Sequence, residues 1–338
     1  MRIAIVKLSA LGDIVHAMVV IQFIKKFNQS VAIDWFVDDE FKGILEHHPQ
    51  INQVHALKIR QAKKNKSLFG FFKEFQSVYR LESYDLVVDM QGLIKSAILA
   101  RFIRSTVTIG FDKKSLREGF ASFFYNKTFE CDYKKNVIER NIAIISFAFS
   151  LNVVNVQIDN KLPFLFSNSN IKIKNLSINK KNILIVPGAS IQSKCYPANK
   201  FVKLIGLIDA NFYILWGSQE EKKIAKKIQS YSNQNTHLCN RLSLNSLIFL
   251  ITQMDLVIGG DTGPTHMAWA LNKPSIVLFG PTPGYRNTYA SEINKIIESD
   301  SEVNPLKLNK SDLSIEKIDE NHIAQIAKKL LLKNSIQP

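Results

Sequence analysis

Asp255-Leu256-Val257-Ile258-Gly259-Gly260-Asp261-Thr262-Gly263-Pro264-Thr265-His266-Met267-Ala268-Trp269-Ala270-Leu271 passes from an apolar, strand-like run through a Gly-rich turn into a helix-like run. A strand that stops at such a turn and restarts as a helix presents backbone N–H groups and the positive end of a helix dipole, which together suit an anion. A second strand, Ser275 to Phe279, follows at once and ends in Gly280-Pro281-Thr282-Pro283-Gly284. Two adjacent strand ends then open onto one crevice, the place where open parallel sheets bind nucleotides. Gly263 and Pro264 alone would only punctuate a bend. An acid, two hydroxyls and an imidazole in the same turn, Asp261, Thr262, Thr265 and His266, are more than a bend requires, although a single His beside an apolar helix face is often a core residue.

Working outward, strand-like and helix-like runs alternate from the first residue. Ile3 to Val6 reads as a buried strand, and Asp13 to Phe27 as a helix with Ile14, Met18 and Ile21 on one face. Val31 to Val37, Gln53 to Ala56, Leu86 to Val88 and Val107 to Ile109 are further strands, with a helix over Leu93 to Ile103. The pattern restarts after an Asn/Ser/Lys-rich passage, with strands at Ile183 to Val186, Phe212 to Trp216, Leu256 to Gly259 and Ser275 to Phe279. This is an α/β chain with two doubly wound parallel-sheet halves. The expected domains are 1–166 and 183–318, joined by a linker over 167–182 and with a cleft between them. A terminal helix in 319–338 is free to pack on either domain and is expected back on the first.

The 338 residues suit two domains, and 46% hydrophobic against 22% charged residues supports full cores. No apolar run reaches the ~18 residues that span a bilayer, and the opening segment is cut by Lys7 and Asp13, unlike a signal peptide. Cys131, Cys195 and Cys239 are odd in number and widely spaced, which argues against a disulfide framework or zinc site and fits a reducing cytoplasm. The net charge of +15 points to a polyanionic partner: nucleic acid, an acidic membrane surface or a phosphorylated substrate.

Several residues carry candidate chemistry. Asp13 follows the first strand in Leu8-Ser9-Ala10-Leu11-Gly12-Asp13; it suits a helix cap, or a general base at the sheet's C-terminal edge. In the second half Val186-Pro187-Gly188-Ala189-Ser190 ends a strand in a small-residue loop, and Lys194 on that loop can neutralise phosphate charge. Glu221, after Trp216-Gly217, stands where acids bind ribose hydroxyls, or on a charged, solvated helix face. Between Lys58 and Arg80 seven basic residues, among them Arg60, Lys63 and Lys64, face one acid, Glu74, with Phe69, Phe71, Phe72 and Phe75 interleaved. That segment suits a phosphorylated amphiphile, an anionic membrane or a single strand of nucleic acid, or a solvated helix whose phenylalanines are core. The lack of a G-x-G-x-x-G fingerprint, a Walker lysine or a metal-ligand cluster points away from dehydrogenases, NTPases and metalloenzymes and toward a nucleotide-sugar donor.

Together Lys7 to His16 (K-L-S-A-L-G-D-I-V-H), Asp89 to Ser96 (D-M-Q-G-L-I-K-S), the loop to Lys194 with Pro197, Gly260 to His266 and Phe279-Gly280-Pro281-Thr282 resemble the motifs of the heptosyltransferases of glycosyltransferase family 9. They run in the family's order through nearly the whole chain. The resemblance implies the GT-B fold, two Rossmann-like domains facing a central cleft, the first holding the acceptor and the second the nucleotide sugar. It implies inverting transfer of L-glycero-D-manno-heptose from ADP-heptose to the Kdo of Kdo-lipid A in lipopolysaccharide inner-core synthesis, with no cofactor and no metal. A heptosyltransferase II with a heptose acceptor, or another sugar transferase of family 9, is the second possibility, and a non-catalytic polyanion-binding protein a third that leaves the Asp13 and Asp261 turns unexplained. By position Asp13 matches the family's base and Lys194 its phosphate-contacting lysine. Asp261, Thr262, Gly263 and His266 match the donor-binding turn, Glu221 the ribose acid, and Leu242 an apolar flank of adenine. Ser190 falls at a phosphate-binding hydroxyl, whereas Ala189 stands where a second hydroxyl is often seen. Arg60, Lys63 and Lys64 fall at the acceptor-phosphate positions. The implied setting is a monomer on the cytoplasmic face of the inner membrane, in peripheral contact with its anionic surface and not with nucleic acid.

Overall fold

Ile3, Ala4, Ile5 and Val6 are fully buried, as expected of a strand at the centre of a sheet covered on both faces. The structure, a computed structural model, describes residues 1–333 apart from 152, 154, 233 and 234; residues 334–338 of the expected terminal segment thus lie outside the described residues. The chain divides into two units, Met1–Phe166 and Ser167–Pro338.

In the first unit β1 (Arg2–Val6), β2 (Ala32–Asp38), β3 (Gln53–Leu57), β4 (Tyr84–Asp89), β5 (Ser105–Phe111) and β6 (Lys127–Phe129) form an all-parallel sheet in the order β3-β2-β1-β4-β5-β6. Its helices are α1 (Leu11–Met18), α2 (Val20–Phe27), α3 (Ile59–Lys64), α4 (Leu68–Tyr79), α5 (Ile94–Phe102), α6 (Val137–Phe149) and α7 (Asn155–Asp159). The single helix expected over Asp13 to Phe27 is two segments, interrupted at Val19, whose own backbone stays right-handed helical.

The second unit repeats the plan. Strands β7 (Asn182–Val186), β8 (Asn211–Ile214), β9 (Thr236–Leu238), β10 (Leu256–Gly260), β11 (Ser275–Phe279) and β12 (Asn294–Glu298) lie in the order β9-β8-β7-β10-β11-β12, again all parallel. The helices are α8 (Ala198–Gly206), α9 (Gln219–Tyr231), α10 (Leu244–Thr252), α11 (Gly263–Ala270), α12 (Gly284–Asn287) and α13 (Glu320–Lys333). Two such units are the GT-B pattern. Each sheet reverses its order between its first and fourth strands, so the turns after β1 and β4, and those after β7 and β10, stand at topological switch points. Register fixes this closely: Val6 lies beside Asp89, and Val186 beside Gly259.

Two expectations need correction. Residues 167–182 are held to the second unit rather than spanning freely as a linker: Ser167 donates to the Asn245 carbonyl at 2.8 Å, Tyr213 to the Lys174 carbonyl at 2.8 Å and Asn211 to the Asn175 carbonyl at 3.0 Å. Secondly, α13 belongs to the second unit's core and not to the first unit. Its Ile323, Ala324, Ala327, Leu330 and Leu331 are buried with Ile183, Phe201, Phe212 and Ile258. Each large side chain so buried contributes about 1.5–3 kcal/mol. Lys200 and Lys203 on α8 pair with Glu320 at the helix start, and Tyr196 donates to the Ile318 carbonyl just before it.

Candidate active site

At the first switch point Asp13 is the third residue of α1 and half-buried; its Oδ2 accepts the Ala10 amide at 3.2 Å. Among the described residues nothing donates to Oδ1. Asp13 therefore caps its helix with one oxygen and keeps the other available. The loop that carries it is fastened by the neighbouring strand end. Gln91 Oε1 accepts the amides of both Leu8 and Ser9 at 3.0 Å, and the buried Lys7 ammonium donates to the Met90 carbonyl at 2.8 Å.

Gln91 is itself set by Asp89. That fully buried carboxylate accepts from the Gln91 and Gly92 amides at 2.8 and 3.2 Å, from the Ser96 hydroxyl at 2.9 Å and from the Tyr125 hydroxyl at 2.8 Å. Burial pushes the Asp89 carboxyl up despite those four donors. Gly92 has φ +68°, a left-handed conformation that L side chains rarely adopt and that lets the loop turn back. The Asp89-to-Ser96 motif thus works as a brace for the Asp13 loop, a role that its residue types alone do not disclose.

The expected acceptor residues lie on and beside α3. Arg60 donates its amide to Asp38 at 2.7 Å and its guanidinium to Glu40 at 2.8 Å; Lys63 and Lys64 are exposed. Lys95 at the start of α5, not among the sequence candidates, joins this group. Burial first, then the charge of Lys63, push its ammonium below the ordinary lysine value, while Asp38 acts in the opposite sense.

The second unit's switch point is built the other way round. The Asp261 carboxylate takes the Lys194 ammonium at 2.6 Å, His266 Nε2–H at 2.9 Å, the Thr282 hydroxyl at 2.9 Å and the Asn287 amide at 3.3 Å. Burial would raise its pKa; the His266 hydrogen bond and the Lys194 charge outweigh that and hold it well below the usual carboxylate range. Asp261 is therefore an anchor that aims Lys194, and Thr282 and Asn287 complete it. Gly260 permits the close approach: a Cβ there would run into the Lys194 carbonyl oxygen.

The Gly-rich turn offers fewer amides than its sequence suggests. Pro264 has none, and those of Thr265 and His266 close back on the Thr262 carbonyl at 3.1 and 3.2 Å. Gly263 is the residue of this first turn whose amide has no acceptor among the described residues. Thr262 precedes it as the helix cap and makes no side-chain capping bond.

Glu221 is the third residue of α9 and closes a capping box with Ser218, its Oε2 accepting the amides of Gly217 and Ser218 at 2.6 and 3.1 Å. Its carboxylate lies against Gly188, where a Cβ would collide with it, so the acid and the loop after β7 share one corner. Ser190 is exposed on that loop. Leu242 lines a cavity of about 210 Å³ with Ile171, Ile173, Tyr213, Leu238 and Leu250. Among the described residues no three His, Cys, Asp or Glu side chains cluster as metal ligands.

The family model of glycosyltransferase family 9 (heptosyltransferase) matches residues 73–313. Lipopolysaccharide heptosyltransferase 1 of Campylobacter coli is 42% identical over 98% of this chain and 99% of its own length. The protein of that name from Escherichia coli K12 is 27% identical over 94% of this chain and 99% of its own. In fold, the structure of E. coli heptosyltransferase WaaC with ADP superposes with a TM-score of 0.79 at 22% identity, over 98% of this chain and 100% of that one. A family match across most of the chain and a relative this similar over its whole length place the protein: it is a glycosyltransferase and belongs to glycosyltransferase family 9, the heptosyltransferases.

Proposed function

We propose that the protein is a lipopolysaccharide heptosyltransferase of type I, moving L-glycero-D-manno-heptose from ADP-heptose to the Kdo of Kdo-lipid A with inversion at the anomeric carbon. The observation that carries this reading is the 42% identity to lipopolysaccharide heptosyltransferase 1 along essentially the full length of both chains. The first unit holds the acceptor, with Arg60, Lys63 and Lys64 meeting its phosphates. The second holds the donor: Glu221 takes the ribose hydroxyls, Leu242 flanks adenine, and Ser190, Thr262, Gly263 and Lys194 face the diphosphate.

In one displacement the acceptor hydroxyl oxygen bonds to the anomeric carbon as the bond from that carbon to the phosphate oxygen breaks. The hydroxyl proton passes to the free oxygen of Asp13, general-base assistance worth roughly 10²–10⁴ in rate. ADP leaves as an anion and needs no proton. Lys194, aimed by Asp261 and His266, and the Gly263 amide receive the growing negative charge. Because the acceptor is a lipid, the enzyme works at the cytoplasmic face of the inner membrane, its basic first unit in peripheral contact with anionic headgroups; among the described residues no helix is long and apolar enough to cross a membrane.

The test is ADP release from ADP-heptose with Kdo-bearing lipid A, with its heptosylated product, or with no acceptor. Release only with the Kdo acceptor supports type I. Release only with the heptosylated acceptor moves the protein to type II, and silence in all three arms refutes the donor assignment.

A further inference from the structure

Helix α4 carries one broad apolar arc, and only part of it has a partner. Phe71, Phe75 and Val78 turn inward against Leu57, Ile59, Leu99 and Ile103. At 3.6 residues per turn Leu68, Phe72 and Tyr79 continue that arc toward solvent, with Phe69 at its far edge, and Leu68, Phe69, Phe72 and Tyr79 are 84%, 77%, 63% and 55% exposed. A surface helix normally spends one apolar stripe on its core and shows polar residues outside. The neighbouring elements add to the exposed side: α5 packs against both α4 and the aromatic turn Gly119–Phe124, and Phe102, Phe120 and Phe123 on them are also exposed. Phe75 and Phe102 meet edge-to-face with centroids 5.1 Å apart, joining α4 to α5.

The charge around this stripe selects the occupant. Along the chain from 58 to 80 stand Lys58, Arg60, Lys63, Lys64, Lys66, Lys73 and Arg80 with the single acid Glu74, and of these Arg60 is paired with Glu40. A second copy of the chain seated on the same face would bring two such basic clusters together, whereas an anionic bilayer supplies the opposite charge and an apolar interior. We propose that α4 is a membrane-insertion helix, with Leu68, Phe69 and Phe72 entering the acyl region of an anionic bilayer and Lys66 and Lys73 engaging its headgroups. The inference rests on the reading that the acceptor is a membrane lipid, and it adds to mere electrostatic attraction a hydrophobic anchor directly after the acceptor helix α3.

The test uses the full-length protein and vesicles of phosphatidylethanolamine and phosphatidylglycerol carrying neither donor nor acceptor. Wild-type protein is expected to co-sediment at physiological salt and to keep part of that binding at molar salt, where headgroup attraction is screened. Phe69→Ser with Phe72→Ser is expected to weaken partitioning by about tenfold or more and to make the remainder fully salt-sensitive. Lys66→Gln and Lys73→Gln should each weaken it about fivefold at physiological salt. A Phe69→Trp reporter should shift its emission to the blue on vesicle addition and be quenched by brominated acyl chains. Unchanged emission on bound protein, or a Phe69→Ser, Phe72→Ser variant that binds like wild type, would overturn the proposal. So would a dimer that these substitutions dissolve, which would assign the face to a second copy. Turnover of an acyl-free Kdo acceptor, unaltered by Phe69→Ser and Phe72→Ser, separates the two readings: its absence in wild type would count against the transfer reaction and leave the vesicle result standing.

Discussion

Asp13, after the first strand of its sheet, and Asp261, after the fourth strand of its own, each stand at a strand-to-helix turn beside the switch point of a six-stranded parallel sheet, yet their carboxylates meet opposite fates. Asp261 is spent: four donors surround it, and it is 8% exposed. Asp13 is kept half-free, and rigidity comes instead from Gln91, which grips the backbone of its loop. Buried and saturated, a carboxylate positions another group; partly solvated with one oxygen open, it can take a proton. The difference teaches that an acid at a strand end beside a switch point is read by its partners and not by its position alone.

The sharpest way to break this contrast is Asp13→Asn. Turnover should fall roughly 10²–10⁴-fold with no loss of thermal stability, because asparagine can still accept the Ala10 amide. Steady-state kinetics beside a melting curve decide it, and near wild-type turnover would remove Asp13 from the chemistry. Asp261→Ala should do the reverse in character. Removing one partner of a buried ion pair is expected to destabilise the second unit by about 3–5 kcal/mol, measured by urea unfolding. In a double-mutant cycle with Lys194→Ala the effects should be strongly non-additive; additive losses would mean that the two side chains work separately.

Acid titration sharpens the same point. A carboxyl whose folded pKa is depressed stabilises the fold above its unfolded pKa, and that stability disappears as pH falls through the folded value. Asp261 is such a group, so stability of the wild type should decline below the ordinary carboxylate range with a slope that Asp261→Asn reduces. Smallest is the Gln91 effect. Gln91→Ala leaves two amides of the Asp13 loop without their acceptor and should cost about tenfold in kcat with little change in KM. Gln91→Glu, which can accept both, should restore most of it. Equal losses in both variants would argue against positioning through those amides.

The central strands are legible from their residues alone. Ile183 to Val186 and Leu256 to Gly259 are uniformly apolar because central parallel strands are buried on both faces, and such runs announce themselves. The edge strands Lys127–Phe129 and Thr236–Leu238 do not, since they are three residues long, and Asn294–Glu298 does not, since it is half-covered and carries polar side chains. Asp261 is visible as a turn acid, but its saturation depends on Thr282 and Asn287, which come near only because β10 and β11 are neighbours. Gln91 reaches Leu8 across 83 positions of sequence for the same kind of reason, the pairing of β1 with β4. For α4 the pattern is ambiguous by nature: its apolar arc is wider than one core contact needs, and packing takes the side that carries Phe71 and Phe75.

The seating of α13 in the second unit's core has a consequence for how the protein is made. All strands of the first unit lie within residues 1–166, so its core is complete as soon as that length has emerged. The second unit needs Ile323 and Leu330 to finish its interior. At about 5–20 residues per second of synthesis, the first unit therefore has a lead of roughly ten to thirty seconds in which to fold alone. During that interval the nascent sheet of the second unit exposes the surface that α13 will cover. Loss of the final helix to a premature stop should then be read by the cell as an aggregation and proteolysis problem before it is ever felt as a defect in sugar transfer.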